Sequence, residues 1–277
     1  MKRLWMATTL VFLVARTAAF ADTYQIRWAS INSGGGVATS SVYTMNGTVG
    51  QAAVGMSTNT SFIHWAGFWA GEIPTPTPAA SPAAVKMLPD GTFVSTAGKI
   101  VTASLADFTN FFYIEQVDRS SGIRVAAPAS AVSGLDRGSV VNVIGTISTL
   151  DSGERQISGP LVIIAGSRAP LTPLGMPNRS LGGSDTNGQF GVIGGFGVNT
   201  IGLLIRTWGR VTSSTAQALL IDDGSGTPVT VDATCLVSPP GVGSYISVAG
   251  ISGLPASGDR TRLITPRNGS DVIIHQP

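Results

Sequence analysis

Cysteine, histidine and charge are all scarce in this 277-residue chain. The single cysteine, Cys235, excludes a disulfide-stapled scaffold and a thiolate metal cluster. Two histidines, His64 and His275, leave little for a His-rich metal site or a His-driven hydrolase. Charged residues are 12% of the chain, about half the usual share, and a long helical bundle needs far more Glu, Lys and Ala than this. No Gly-x-Ser-x-Gly elbow, His-Glu-x-x-His helix or Cys-x-x-Cys pair occurs. Nothing in the chain calls for a cofactor or a metal.

What is present is glycine and apolar residue. Hydrophobic residues are 43% of the chain, enough for packed cores. Gly 35 and Pro 16 are roughly 18% together, below the roughly 25–30% of low-complexity disorder. Many short strands joined by tight turns fit these numbers. Cys235, beside Leu236 and Val237, reads as a small buried hydrophobe rather than a nucleophile, since neither histidine is near it in sequence.

Residues 1–21 have the layout of a cleaved export signal. Lys2 and Arg3 precede an apolar run at 4–15, and Ala19-Phe20-Ala21 fits the small-x-small cleavage pattern. The run is too short for a membrane span, which takes about 20 apolar residues, and no later segment is long and apolar enough to span. Loss of Lys2, Arg3 and Arg16 leaves 14 basic residues against 15 acidic ones, a net charge of −1. The mature chain therefore lacks the basic excess usual in nucleic-acid binders. Lys86 and Lys99 are its only lysines.

Residues 74–82 read Pro-Thr-Pro-Thr-Pro-Ala-Ala-Ser-Pro, which predicts an extended spacer without helix or central strand. The expected division is a small β module at 22–73, a linker at 74–84, a body at 85–168, a Gly/Pro-rich connector at 169–200, and a second body at 201–277. In the small module, Asn46-Gly47 is a turn signal and Gly34-Gly35-Gly36 a joint or tight turn. Trp28, Trp65, Phe68 and Trp69 suit the core of a small sheet better than a sugar-stacking platform. The connector lacks the Gly-Lys-Ser/Thr of a phosphate loop and reads as an irregular strap.

The body repeats itself. Gly98-Lys99-Ile100-Val101 matches Gly209-Arg210-Val211-Thr212. Phe112-Tyr113-Ile114-Glu115 matches Leu219-Leu220-Ile221-Asp222, and Gly138-Ser139-Val140-Val141 matches Gly243-Ser244-Tyr245-Ile246. Gly153-Glu154-Arg155 answers to Gly258-Asp259-Arg260. Each copy predicts about five strands of period two, with Phe112, Ile114, Ile123 and Val125 inward and Tyr113, Glu115 and Arg124 outward. The longer segments 128–137 and 232–241 separate strands 3 and 4 in both copies, the layout of an OB-type barrel.

The stretch 112–125, with Phe-Tyr-Ile-Glu followed by Asp118-Arg119-Ser120-Ser121-Gly122-Ile123-Arg124-Val125, resembles strands 2 and 3 of OB-fold domains in exported bacterial proteins. Gly202 to Val211 with Ile221-Asp222-Asp223-Gly224-Ser225-Gly226 resembles a second such domain. Gly47-Thr48-Val49-Gly50-Gln51 with Gly67-Phe68-Trp69 resembles a segment near the N-termini of many exported bacterial proteins. The resemblance implies an all-β exported chain with tandem barrels. OB-folds bind single-stranded nucleic acid, oligosaccharide or protein, and fold alone does not choose.

Outward residues on the barrels are the candidate binding set: Tyr113, Arg119 and Arg124 on the first, and Arg206, Trp208 and Arg210 on the second. Aromatic plus arginine suits stacking on sugars or bases. The competing reading pairs Arg119 and Arg124 with Glu115 or Asp118 and packs Trp208 between the barrels. Asp222-Asp223 is an acidic pair whose side chains alternate faces, which argues against a converging acid and base. An acidic turn explains it better than a calcium site, since the full EF-hand spacing is absent. Sequons begin at Asn46, Asn59, Asn178 and Asn268. The expected function is non-catalytic binding of a protein or glycan at the cell envelope or outside the cell. Single-stranded nucleic-acid binding, or an exported hydrolase using Asp222-Asp223, are the alternatives.

Overall fold

Alternating apolar residues between glycines dictate strands, and strands make up nearly all of the regular secondary structure among the described residues. The computed structural model describes residues 34–39, 44–49, 55–58, 63–66, 75–128 and 132–275. The chain divides into two compact units, the larger containing residues 73–277. Residues 1–21, read from the sequence as an export signal, lie outside the described residues, as do Trp28, Phe68 and Trp69.

In the N-terminal region β1 (Gly34–Thr39) pairs antiparallel with β2 (Thr44–Val49), from Gly34↔Val49 to Thr39↔Thr44. Asn46-Gly47 therefore lies within a strand, opposite Val37 and Gly36, and Gly34-Gly35-Gly36 opens β1. Neither is the turn that its composition suggests. Glycine weakens a strand without forbidding it, and the ladder supplies the pairing. Two further short strands follow, β3 (Gly55–Thr58) and β4 (Ile63–Ala66).

The proline run is not a free spacer. β5 (Thr77–Pro78) adds in parallel to the barrel strand β6 (Phe93–Ala103), and α1 (Pro82–Lys86) follows it. Pro78 sits at the sheet's edge, where a missing N–H costs little, and Pro82 lies in the first helical turn, where its N–H has no partner to lose. The Ser81 hydroxyl accepts from the Ala84 N–H at 3.2 Å, and Val85 is fully buried.

The first barrel joins β6, β7 (Phe111–Glu115), β8 (Gly122–Ala126), β10 (Arg155–Ser167) and β9 (Ser139–Thr149) in that spatial order. It closes by pairing β9 with β6. Only the β8–β10 contact is parallel within this ring. Val94, Phe112, Ile114, Ile123, Val125, Val141, Val143 and Ile157 fill it. β11 (Leu174–Gly175) precedes the second barrel, in which β12 (Leu204–Ser214), β13 (Ala218–Asp222), β14 (Val229–Asp232), β16 (Leu263–Thr265) and β15 (Tyr245–Gly253) repeat the order and the parallel contact. β12 closes on β15, and β17 (Val272–His275) extends the sheet beyond β15. These are two tandem OB-like barrels.

The barrels share a face. Ala103 and Tyr113 of the first pack with Leu204 and Ile251 of the second, and Phe108 and Phe111 close over them. Gly122 and Gly202 lie backbone to backbone, so that a Cβ on Gly122 would overlap the Gly202 carbonyl. Arg267 donates to the Thr102 carbonyl at 3.1 Å and holds Asp271 at 2.8 Å. The connector is irregular apart from β11 and a 3-10 turn at Asn178–Ser180.

Candidate functional site

The six outward candidates fall into two groups with opposite fates. On β7, Tyr113 is 5% exposed and Glu115 is fully buried, although both point out of their own barrel. The second barrel covers that face. The Tyr113 hydroxyl donates to Glu154 at 2.8 Å. The Glu115 carboxylate accepts from the Leu204 N–H across the junction and from Arg119 Nε at 2.7 Å. Arg119, in the β7–β8 turn with φ 64°, also donates to the carbonyls of Thr172 and Leu204. Arg124 lies half-buried over the Phe111 ring, 3.7 Å from its centroid. Tyr113 and Arg119 are thus engaged in joining the barrels, Tyr113 pointing outward as read but covered by the second barrel, and Arg119 in the ion pair weighed against ligand contact.

Burial perturbs the charges of this junction. It pushes Glu154 and Glu115 above the usual carboxylate range, although the Tyr113 hydroxyl opposes it at Glu154 and the Leu204 N–H opposes it at Glu115. Lys86, from α1, donates to the Ile201 carbonyl at 2.6 Å, and burial pulls its pKa down to about 8 against the attraction of Glu154. It borders a hollow of about 440 Å³ that Met87, Ser120, Asn187 and Val198 also line.

The second group is brought together on one open face. Along β12 the outward residues are Leu204, Arg206, Trp208 and Arg210. Leu204 is buried under the first barrel, while the next three emerge into solvent. Trp208 is 54% exposed, so it does not pack between the barrels. Register places Arg210 opposite Asp222 on β13 and opposite Tyr245 on β15, and Tyr245 opposite His275 on β17. Trp208 stands opposite Ser247, which stands opposite Ile273. Directly opposed residues share a face, so Trp208, Tyr245, Ile273, His275 and the two arginines form one surface. His275 Nε2 and Ser247 Oγ are 3.1 Å apart. Gly209 permits the geometry: a Cβ there would stand 2.8 Å from the Asp222 backbone, so β12 and β13 cross closely.

Trp208 separates two hollows of about 320 Å³ each. Arg210, Asp222, Asp223 and Tyr245 line one, and Arg206, Met176 and Ser247 line the other. Both are at the lower end of the roughly 300–1,000 Å³ of small-ligand sites. Among the described residues neither arginine has an acidic partner within salt-bridge distance. Tyr245, Ser247, Ile273 and His275 were not among the residues that the sequence singles out. Tyr245 had a signal, since the repeat aligns it with Val140 at a strand start, but nothing local marks its side of the sheet.

The two barrels differ at this place for a visible reason. Lys99, which the repeat aligns with Arg210, is 4% exposed and donates to the carbonyls of Ala80 and Ala97, each at 2.8 Å. The docked proline segment covers it. Among the described residues no such segment covers Arg210.

The acidic pair is occupied in the turn. Asp222 accepts from the Gly224 N–H at 3.0 Å, and Asp223 accepts from Ser225 and Asn178 N–H groups at 3.1 and 2.9 Å. Partial burial works to raise the Asp223 pKa, and those hydrogen bonds outweigh it, leaving it below the usual range. Cys235 is half-buried with its thiol pushed up by that burial, so it is not an activated nucleophile. Asn178 is fully buried and donates to the Ile221 carbonyl, which closes its sequon to a glycan in the folded chain. Among the described residues no helix is long and apolar enough to cross a membrane. No protein-family model and no curated protein matches the sequence.

Proposed function

We propose that this chain is an exported, non-catalytic binding protein that recognises a glycan or protein of the cell envelope on the open face of its second barrel. The observation that carries this reading is the exposed Trp208 with an arginine and a hollow on each side. A contiguous exposed apolar patch such as Trp208, Tyr245 and Ile273 is the kind of surface that marks an interaction site, and an aromatic face with flanking donors suits stacking on a sugar ring. The use of both Asp222 and Asp223 carboxylates as turn caps favours binding over hydrolysis. Export rests on the pattern of residues 1–21 and on the resemblance to exported bacterial OB proteins.

Single-stranded nucleic acid is the weaker alternative. A phosphate backbone is held by many cations, whereas this face offers two arginines, one of which, Arg210, shares its hollow with Asp222 and Asp223. The test is a screen of the mature chain against a glycan array, envelope extracts and single-stranded DNA and RNA at two salt concentrations, alongside ester, phosphoester and glycoside substrates. Saturable binding that Trp208→Ala removes, without turnover, is the expected result. Turnover lost in Asp222→Ala would replace this reading with a hydrolase.

A further inference from the structure

The arginines of the open face say which ligand it suits. Arg206, Trp208 and Arg210 alternate on one side of β12, so the two guanidinium-bearing positions are about 13 Å apart at the backbone. The aromatic ring stands between them, and each arginine lines its own hollow. Neither is neutralised by a described carboxylate within salt-bridge distance. A ligand matched to this row has an apolar ring face at its centre and an anionic group on each side. Arginine presents a planar fork to carboxylates and binds them bidentately. Around the ring, Ser247, Thr212 and His275 offer hydrogen-bonding groups to hydroxyls, and Asp222 and Asp223 keep lone pairs for hydroxyl donors.

The geometry points to an acidic oligosaccharide of the uronic-acid type, with one sugar stacked on Trp208 and carboxylates of the flanking sugars on Arg206 and Arg210. This inference rests on the binding face proposed above and names its ligand class.

The test is calorimetric titration of the mature chain with oligogalacturonate, alginate and hyaluronan oligosaccharides. Methyl-esterified oligogalacturonate serves as the neutral twin, cello-oligosaccharide as an uncharged glycan, and a dT oligonucleotide as the polyanion control. The expected result is binding to at least one uronic oligosaccharide. Esterification, Arg206→Gln or Arg210→Gln should each weaken it roughly tenfold, the scale of one lost charge-assisted contact. The Gln variants should keep the parent's thermal midpoint, because both positions are exposed. Equal affinity for the ester, or binding of the neutral glycan alone through Trp208, would overturn the acidic ligand and leave the binding face standing. Failure of every saccharide would overturn the acidic glycan and leave the protein half of the reading above, whereas tight, steeply salt-dependent binding of the oligonucleotide alone would overturn both.

Discussion

Arg155 and Arg260, which hold the same place in the two repeats, grip one loop from its two ends. Arg155 donates from its backbone to Gln189 Oε1 at 3.0 Å and from its guanidinium to the Gly188 carbonyl at 3.3 Å. Arg260 donates to the Gly191 carbonyl at 2.9 Å, pairs with Asp185, and stacks on Phe190 at 4.7 Å. Gln189 between them is fully buried and donates to the Gly153 carbonyl at 3.1 Å. A repeated arginine thus fastens the glycine-rich connector to both barrels.

Removing these anchors should loosen the connector unequally. Arg155 is 7% exposed, so Arg155→Ala should cost about 2–4 kcal/mol through the lost packing of a buried side chain and the part-buried carbonyls of Leu88 and Gly188 that it leaves unpaired. Arg260 is more open, and Arg260→Ala should cost about 1 kcal/mol. Denaturant melts of the two variants check the order, and amide exchange across 185–195 should rise in both.

The junction sets a second prediction. A methyl group on Gly122 meets backbone that cannot move aside, because Gly202 is itself held by its N–H bond to the Ser252 carbonyl at 2.7 Å. Gly122→Ala should cost roughly 2–4 kcal/mol and break the melt into two steps as the barrels part. Gly166→Ala, where a Cβ meets nothing within 4 Å, is the control and should leave the junction and the single melt intact.

Much of this was legible in the chain. The paired motifs around Phe112 and Leu219, and around Val141 and Ile246, place strands that the structure confirms as two barrels. Period two separates the inside of a barrel from its outside. It says nothing of what covers the outside, which is why Tyr113 and Trp208 look alike in sequence and differ in the fold. The first faces another barrel and the second faces water. The docking of the proline segment was hidden for a related reason: it depends on a sheet edge and a helix start supplied by tertiary context.

Lys86 gives a pH dependence with a definite sign. Its folded pKa, about 8, is below the ordinary 10.5, so between those values the unfolded chain binds the extra proton. Stability from this group therefore rises as pH climbs from about 8 toward 10. Burial holds the Tyr113 hydroxyl well above its ordinary 10.0, which reverses the trend beyond that point. Lys86→Met should flatten the rise between pH 8 and 10 relative to the parent, as read from urea midpoints across that range.

Trp208 and Tyr113 should respond in opposite ways to truncation. Tyr113→Ala removes a buried ring and strands Glu154, costing about 3–5 kcal/mol. Trp208→Ala removes a largely exposed ring and should change stability by about 1 kcal/mol or less. Thermal midpoints of the two variants decide whether the aromatic on the second barrel is kept for the fold or for a ligand.

The most direct measurement of the central claim is the affinity of the parent protein and of Trp208→Ala for the best ligand of a glycan and envelope-protein panel. The account predicts that the variant keeps its fold and loses affinity by about tenfold or more, the scale of a lost interface aromatic. Equal affinity in the two proteins would contradict it and move the site away from the open face of the second barrel.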